Sequence, residues 1–114
     1  DVRFLPNPFY DPEMRYLTGN DEKVARFVMD NKITRDFMDA WLRLLDVAMP
    51  GYVAEGKARL SIAVGCTGGQ HRSVAIANAT AAHLKAQGYR VNLFHRDLPE
   101  TVAAAAHDAA TGER

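Results

Sequence analysis

"RLSIAVGCTGGQHRSVAIANATAAHLKAQG", residues 59–88 of a 114-residue chain, holds the reading of the fold. Its first part, Arg59 to Val64, is short, apolar and partly β-branched, as a buried parallel strand would be. Residues 73–87 are alanine-rich and end at Gly88, which predicts a helix with a glycine stop. Between them lie Gly65, Gly68 and Gly69, the thiol of Cys66, the hydroxyls of Thr67 and Ser73, and the side chains of Gln70, His71 and Arg72. A loop of this composition between a strand and a helix can be a tight turn, an anion holder or a reactive centre.

Upstream, Asp1 to Leu5 reads as a short strand stopped by Pro6, and residues 6–20 carry three prolines without clear periodicity, so they form a loop. Asn20 or Asp21 can cap a helix whose apolar face is Val24, Phe27 and Val28. A second helix is predicted from about Thr34, with Phe37, Trp41, Leu44, Leu45 and Ala48 at helical spacing and Pro50-Gly51 interrupting it. Trp41 reads as a core anchor. Downstream, "RVNLFHRD" (90–97) alternates like a third strand. The expected fold is therefore α/β: one domain over residues 1–98, a small and mostly parallel sheet with helices packed on it. Residues 99–114 are expected to be a tail, as a frayed helix or disordered. A chain opening on a strand without lead-in points to a piece of a longer protein.

Composition narrows the classes. Apolar residues at 47% and charged residues at 25% describe an ordinary globular domain. One cysteine excludes an internal disulfide framework, and four scattered histidines argue against a structural metal site. No apolar run or leader pattern points to a membrane, so a cytoplasmic location is expected. The net charge of +0 conceals an asymmetry: residues 57–96 carry Lys57, Arg59, Arg72, Lys85, Arg90 and Arg96 without an acid. A basic stretch between acidic ones suits a local anion site better than a broad nucleic-acid surface.

In a parallel sheet, ligands bind beyond the carboxyl ends of the strands. Those ends are the region after Leu5, the loop 65–73, and His95-Arg96-Asp97. A glycine-rich loop entering a helix offers backbone N–H groups without intrahelical partners, in the positive potential of the helix dipole. Gly68 and Gly69 permit left-handed backbone, Arg72 can add a fork, and Thr67 and Ser73 can donate hydroxyls. These features describe a phosphate cradle. The Walker lysine is absent. Cys66, Gly69, Arg72 and Ser73 also fit the C-x-x-G-x-x-R-[ST] signature of cysteine-dependent phosphatases, with Asp97 as general acid, although Gly65 stands where that family usually has histidine. His83, in mid-helix, reads as structural, whereas His71 reads as a ligand contact and His95 as either.

Three blocks, "DVRFLPNPFYDPEMRYLTGND", "GCTGGQHRSVAIA" and "FHRDLPE", together resemble the C-terminal domain of the RNase adapter RapZ, also called the YvcJ family of nucleotide-binding proteins. The resemblance implies a phosphofructokinase-subdomain-like fold that self-associates. It also implies a missing N-terminal domain that binds ATP or GTP, and no cofactor for the present domain. Enterobacterial members bind small regulatory RNAs and an amino-sugar phosphate. Carried onto this chain, the phosphate-binding residues are Thr67, Gly68, Gly69, Gln70, His71, Arg72 and Ser73. Asn7, Arg15, Thr18, Gly19, His95 and Arg96 stand behind them. Two departures matter: Phe9 stands where enterobacterial members have histidine, and "DLPETVAAAAHDAA" replaces their basic RNA-binding cluster. RNA affinity rests on cationic phosphate contacts, so that replacement weakens the RNA expectation. The expected function is a regulatory domain for a phosphorylated small molecule. A thiol phosphatase and an RNA-binding module are the rivals.

Overall fold

The computed structural model describes residues 1–98; the expected tail, 99–114, lies outside the described residues. A 3-10 turn, Pro8–Tyr10, precedes three helices: α1 (Glu22–Met29), α2 (Lys32–Glu55) and α3 (Arg72–Ala86). Asp21 caps α1 by accepting the Lys23 N–H at 2.9 Å, and Val24 and Val28 bury one stripe of it completely. The corner into α2 is closed by polar groups. Asn31 accepts the Thr34 N–H at 2.9 Å and donates to Val28 O at 2.8 Å, while the fully buried Thr34 hydroxyl donates to the same carbonyl at 2.7 Å. These bonds give partners to groups that the two helix ends would otherwise leave open and help to set the angle between the helices.

The core joins Val2, Leu5 and Met14 from the first segment to Val24 and Val28 of α1, Met38 of α2, and Ala75 and Ile76 of α3. Trp41 packs against this cluster as expected of an anchor, and its Nε1–H donates to Thr80 Oγ1 at 3.0 Å. Asp46 accepts from Gln87 and bonds His83, both at 2.6 Å, and so links α2 to the far end of α3; His83 is structural here.

The expected sheet is not formed: among the described residues there is no strand. Residues 1–5 fold into a turn, with Leu5 N–H bonded to Val2 O at 3.2 Å and Asp1 gripping the Arg3 backbone and guanidinium. One backbone bond, Val2 N–H to Gly65 O at 2.8 Å, ties this turn to the segment after Arg59, and a single bond is not a ladder. The segments 57–64 and 89–93 instead border a groove of about 910 Å³ that they share with α3 residues such as Thr80 and Leu84. Leu60 and Val64 are half-buried, while Ile62 and Leu93 are exposed. The apolar residues that suggested strands are thus only partly covered by the helices, and no backbone ladder forms among the described residues.

The end of α2 also differs from expectation. α2 passes through Pro50 and Gly51 and ends at Gly56, whose φ of 87° allows the Lys57 N–H to reach back to Tyr52 O at 3.0 Å. Pro50 removes one helical donor, and the exposed turn around it tolerates the loss because Asp46 O can turn to solvent. α3 starts at Arg72 and is closed by Gly88 at φ 92°, as expected.

Candidate functional site

The loop 65–71 leads into α3, and its shape comes from two consecutive left-handed glycines, Gly68 at φ 80° and Gly69 at φ 67°. Gly69 is also required by contact: a Cβ there would meet the Asp97 carboxylate and lie 3.0 Å from Asp97 Cβ. Gln70 Nε2 donates to Asp97 O at 3.2 Å, so residues 95–97 are held against the loop as the sequence placed them. His71 precedes α3 without making a side-chain cap of its own, and of the first-turn amides that of Ser73 is taken by Cys66 Sγ at 3.3 Å. Thr67 and Gly68 are exposed.

Residues 15–20 form the opposite wall. Gly19 N–H donates to Gln70 O at 2.7 Å, and His71 Nε2 lies 3.1 Å from Arg15 O, bonding it in the tautomer that carries the hydrogen. A Cβ on Gly19 would fall 2.7 Å from Ala75 N and 2.8 Å from Val74 Cβ. The glycine therefore lets this wall touch the first turn of α3. Thr18 Oγ1 is occupied by the Asn20 N–H at 3.2 Å.

Arg72 is placed differently from a free phosphate fork. It is 4% exposed, and its Nη1 donates to Arg3 O at 2.5 Å and Leu5 O at 3.2 Å. The guanidinium thereby pins the first turn of the chain to α3, and its buried Nε has no partner. Ser73 serves Cys66: its N–H donates to Sγ at 3.3 Å and its hydroxyl lies 3.2 Å from Sγ. Burial pushes the Cys66 thiol up, but the Ser73 hydroxyl and amide, the Gly69 amide and the Arg72 charge outweigh it and hold the thiol below its ordinary value. Asp97 is bonded to Arg96, and that bond keeps its carboxyl below the usual range against a smaller effect of burial. A carboxyl held ionised is a poor proton donor, which works against Asp97 as a phosphatase acid.

The remaining sequence candidates divide. Asn7 caps the 3-10 turn by accepting the Phe9 N–H at 3.1 Å, and Arg15 donates from Nε to Phe9 O at 3.0 Å with its guanidinium 5.0 Å from the Phe9 ring centroid. Both side chains are engaged within their own segment rather than at the loop. Arg96 is an exposed partner of Asp97. His95 does join the wall: Nε2 lies 2.8 Å from Asn78 Oδ1, and Asn78 Nδ2 donates to Asn20 Oδ1 at 2.8 Å. Asn20 and Asn78 were missed as site residues. An asparagine amid the alanines of α3 was the available signal, since that residue disfavours helix interiors unless it bonds elsewhere. Among the described residues no group of three or more His, Cys, Asp or Glu is placed to hold a metal, and no helix is long and apolar enough to cross a membrane.

Burial holds His95 below the ordinary histidine value of 6.5. The unfolded chain then takes up the proton more readily, so stability is complete above about 6.5 and declines as pH falls through that value toward the folded one. The thermal midpoint is expected to drop between about pH 7 and pH 5, and to drop less in His95→Gln. Equal declines in both proteins would exclude His95 as the source.

The architecture is thus that of a helical domain whose glycine turn, at the head of α3, is walled by two other blocks of the same chain: 15–20 and 95–97. A family profile described as RapZ C-terminal domain matches residues 1–99, and the chain belongs to that family. It is 57% identical over 98 residues to a protein named nucleotide-binding protein from Limosilactobacillus reuteri, covering 86% of this chain and 34% of that protein. A nucleotide-binding protein of Desulforamulus reducens is 53% identical over 98 residues, covering 86% and 33%, and one of Clostridium botulinum is 49% identical over 102 residues, covering 90% and 35%. The chain spans about a third of the length of these curated relatives.

Proposed function

We propose that this chain is the regulatory domain of a RapZ-like, P-loop nucleotide-binding RNase adapter, and that it holds a phosphorylated small molecule at residues 67–73. The observation that carries this reading is the pair of left-handed glycines at the head of α3, where His71 makes no side-chain cap, with the buried Arg72 charge behind them. Consecutive amides in such a turn, facing the positive end of a helix, favour a dianion over a neutral group. A phosphosugar fits the exposed loop and its polar wall of Gln70, His71 and His95. The domain associates with copies of itself and passes occupancy of the loop to a cytoplasmic nucleotide-binding domain, which alone takes ATP or GTP. The domain itself needs no cofactor. RNA is a weaker partner here, given the acidic residues that follow Arg96.

Gly68 provides the test, because a side chain there meets nothing within 4 Å and Asn and Asp both accept left-handed backbone. Calorimetric titration with inorganic phosphate and with an amino-sugar phosphate is expected to show binding to the wild type. Gly68→Asn is expected to keep affinity within about threefold, and Gly68→Asp to lose at least about tenfold, roughly 1.4 kcal/mol. Equal affinity for both variants would remove the anion site from this loop. The lowered thiol of Cys66 also supports a second reading, a phosphatase. Aryl phosphate turnover that disappears in Cys66→Ser would replace the binding role with that chemistry.

A further inference from the structure

Cys66 stands half-buried at the entrance of the glycine loop, and three donors of that loop converge on its sulfur. The Ser73 N–H reaches Sγ at 3.3 Å, the Ser73 hydroxyl lies 3.2 Å away, and the Gly69 amide bonds the sulfur as well. Ser73 belongs to the first turn of α3, and Gly69 is the second left-handed glycine. The sulfur therefore occupies donors that an anion in this loop would also need. Arg72 supplies the charge. It is 4% exposed, and its Nε is buried without a partner. Its Nη1 bonds Arg3 O, and the adjoining Val2 N–H bonds Gly65 O, so the guanidinium is held at the Cys66 end of the loop. A buried cation with an open donor, beside a sulfur that already accepts hydrogen bonds, favours the thiolate over the thiol. The thiolate is the form that peroxides oxidise, and the exposed Thr67 and Gly68 leave the loop open to a small oxidant.

We infer that Cys66 is a redox switch of the glycine loop, and that its oxidation by hydrogen peroxide to a sulfenic acid closes the loop to phosphate. This rests on the anion-holding role proposed above and gives that role a regulator. The sulfur attacks one peroxide oxygen: an S–O bond forms, the O–O bond breaks, and the departing hydroxide takes a proton from solvent to become water. Sulfur gives up two electrons and the peroxide accepts them. The new oxygen is carried by an atom already in contact with the Ser73 and Gly69 donors, so it takes the hydrogen bonds and the room that phosphate oxygens would use. Phosphate acts in the opposite sense. A dianion that draws on the same donors and on the Arg72 charge leaves less to stabilise the thiolate, so occupancy slows the oxidation. These 114 residues hold no second cysteine, so the reset needs an external thiol. One thiol displaces water from the sulfenic acid to give a mixed disulfide, and a second thiol releases Cys66.

Mass spectrometry and calorimetric titration with inorganic phosphate, both on the 114-residue chain, test the switch. Hydrogen peroxide is expected to add one oxygen at Cys66 and to weaken phosphate binding at least about tenfold, and dithiothreitol to restore it. Saturating phosphate is expected to slow the oxidation at least about threefold. Peroxide is expected to leave the affinity of Cys66→Ser where it stood before treatment, which separates Cys66 from the four methionines. Equal affinity in the reduced and oxidised wild type would overturn the switch and leave the anion loop standing. A loss of equal size in peroxide-treated Cys66→Ser would overturn it as well, and would assign the loss to methionine. Oxidation at one rate with and without phosphate would overturn the shared donor set. A reduced wild type that binds no phosphate would overturn the anion role itself, and the switch with it.

Discussion

Gly19→Ala is expected to lower the thermal midpoint by roughly 10 to 25 °C, reading 2 to 4 kcal/mol against the slope for a domain of this size. The new methyl would meet His71 O and lie 2.7 Å from Ala75 N and 2.8 Å from Val74 Cβ. Two of those atoms are backbone, of the residue that leads into α3 and of its first turns, and cannot swing aside. The wall 15–20 must retreat instead, stretching the Gly19 N–H to Gln70 O bond and the His71 to Arg15 O bond. Overpacking costs about 1–3 kcal/mol and a lost hydrogen bond about 1. Gly51→Ala is the control, since a methyl there meets nothing within 4 Å and the site is helical; it is expected to be neutral or to stabilise by up to about 1 kcal/mol. If Gly19→Ala melts with the wild type, the close approach of the two walls is not a feature of the protein in solution.

Ile76→Ala is expected to cost about 2–5 kcal/mol, a large share of the stability of any domain of this length. Ile76 is 1% exposed and the largest of the fully buried side chains, one turn below the glycine loop in α3. Its loss opens a cavity between the first segment, α1 and α3 that rigid helices cannot close. The effect reaches the site because α3 carries the cradle at its head. A bound anion stabilises only the folded form, so adding phosphate at a hundred times its dissociation constant is expected to return about 2.7 kcal/mol. Urea denaturation with and without phosphate measures both quantities. A variant within about 1 kcal/mol of the wild type would show that the core is looser than its burial implies.

Much of the site was legible in order of chain. Glycines in pairs have few uses other than a left-handed turn, and an alanine-rich run ended by glycine has few uses other than a helix. The loop 65–71 and α3 follow from these two facts, as do the blocks that share the family profile. What could not be read was the destination of each polar group. Arg72 looks like a phosphate fork in the sequence, and only its packing beneath Arg3 and Leu5 shows Nη1 spent on carbonyls. Asn20 and Asn78 lie 58 residues apart, and nothing local to either announces that they bond each other and so hold His95.

The helices α1 and α3, the glycine turn between residues 67 and 70 and the family itself were determined by the sequence alone. They depend on local periodicity, backbone freedom and capping, which are short-range properties of the chain. The absence of a ladder was decided only by the tertiary structure, because alternating apolar residues require one buried side but not a hydrogen-bonded neighbour. So was the passage of α2 through Pro50, where an exposed turn leaves the freed Asp46 carbonyl open to water while the packing of α2 on either side carries the helix across the ring.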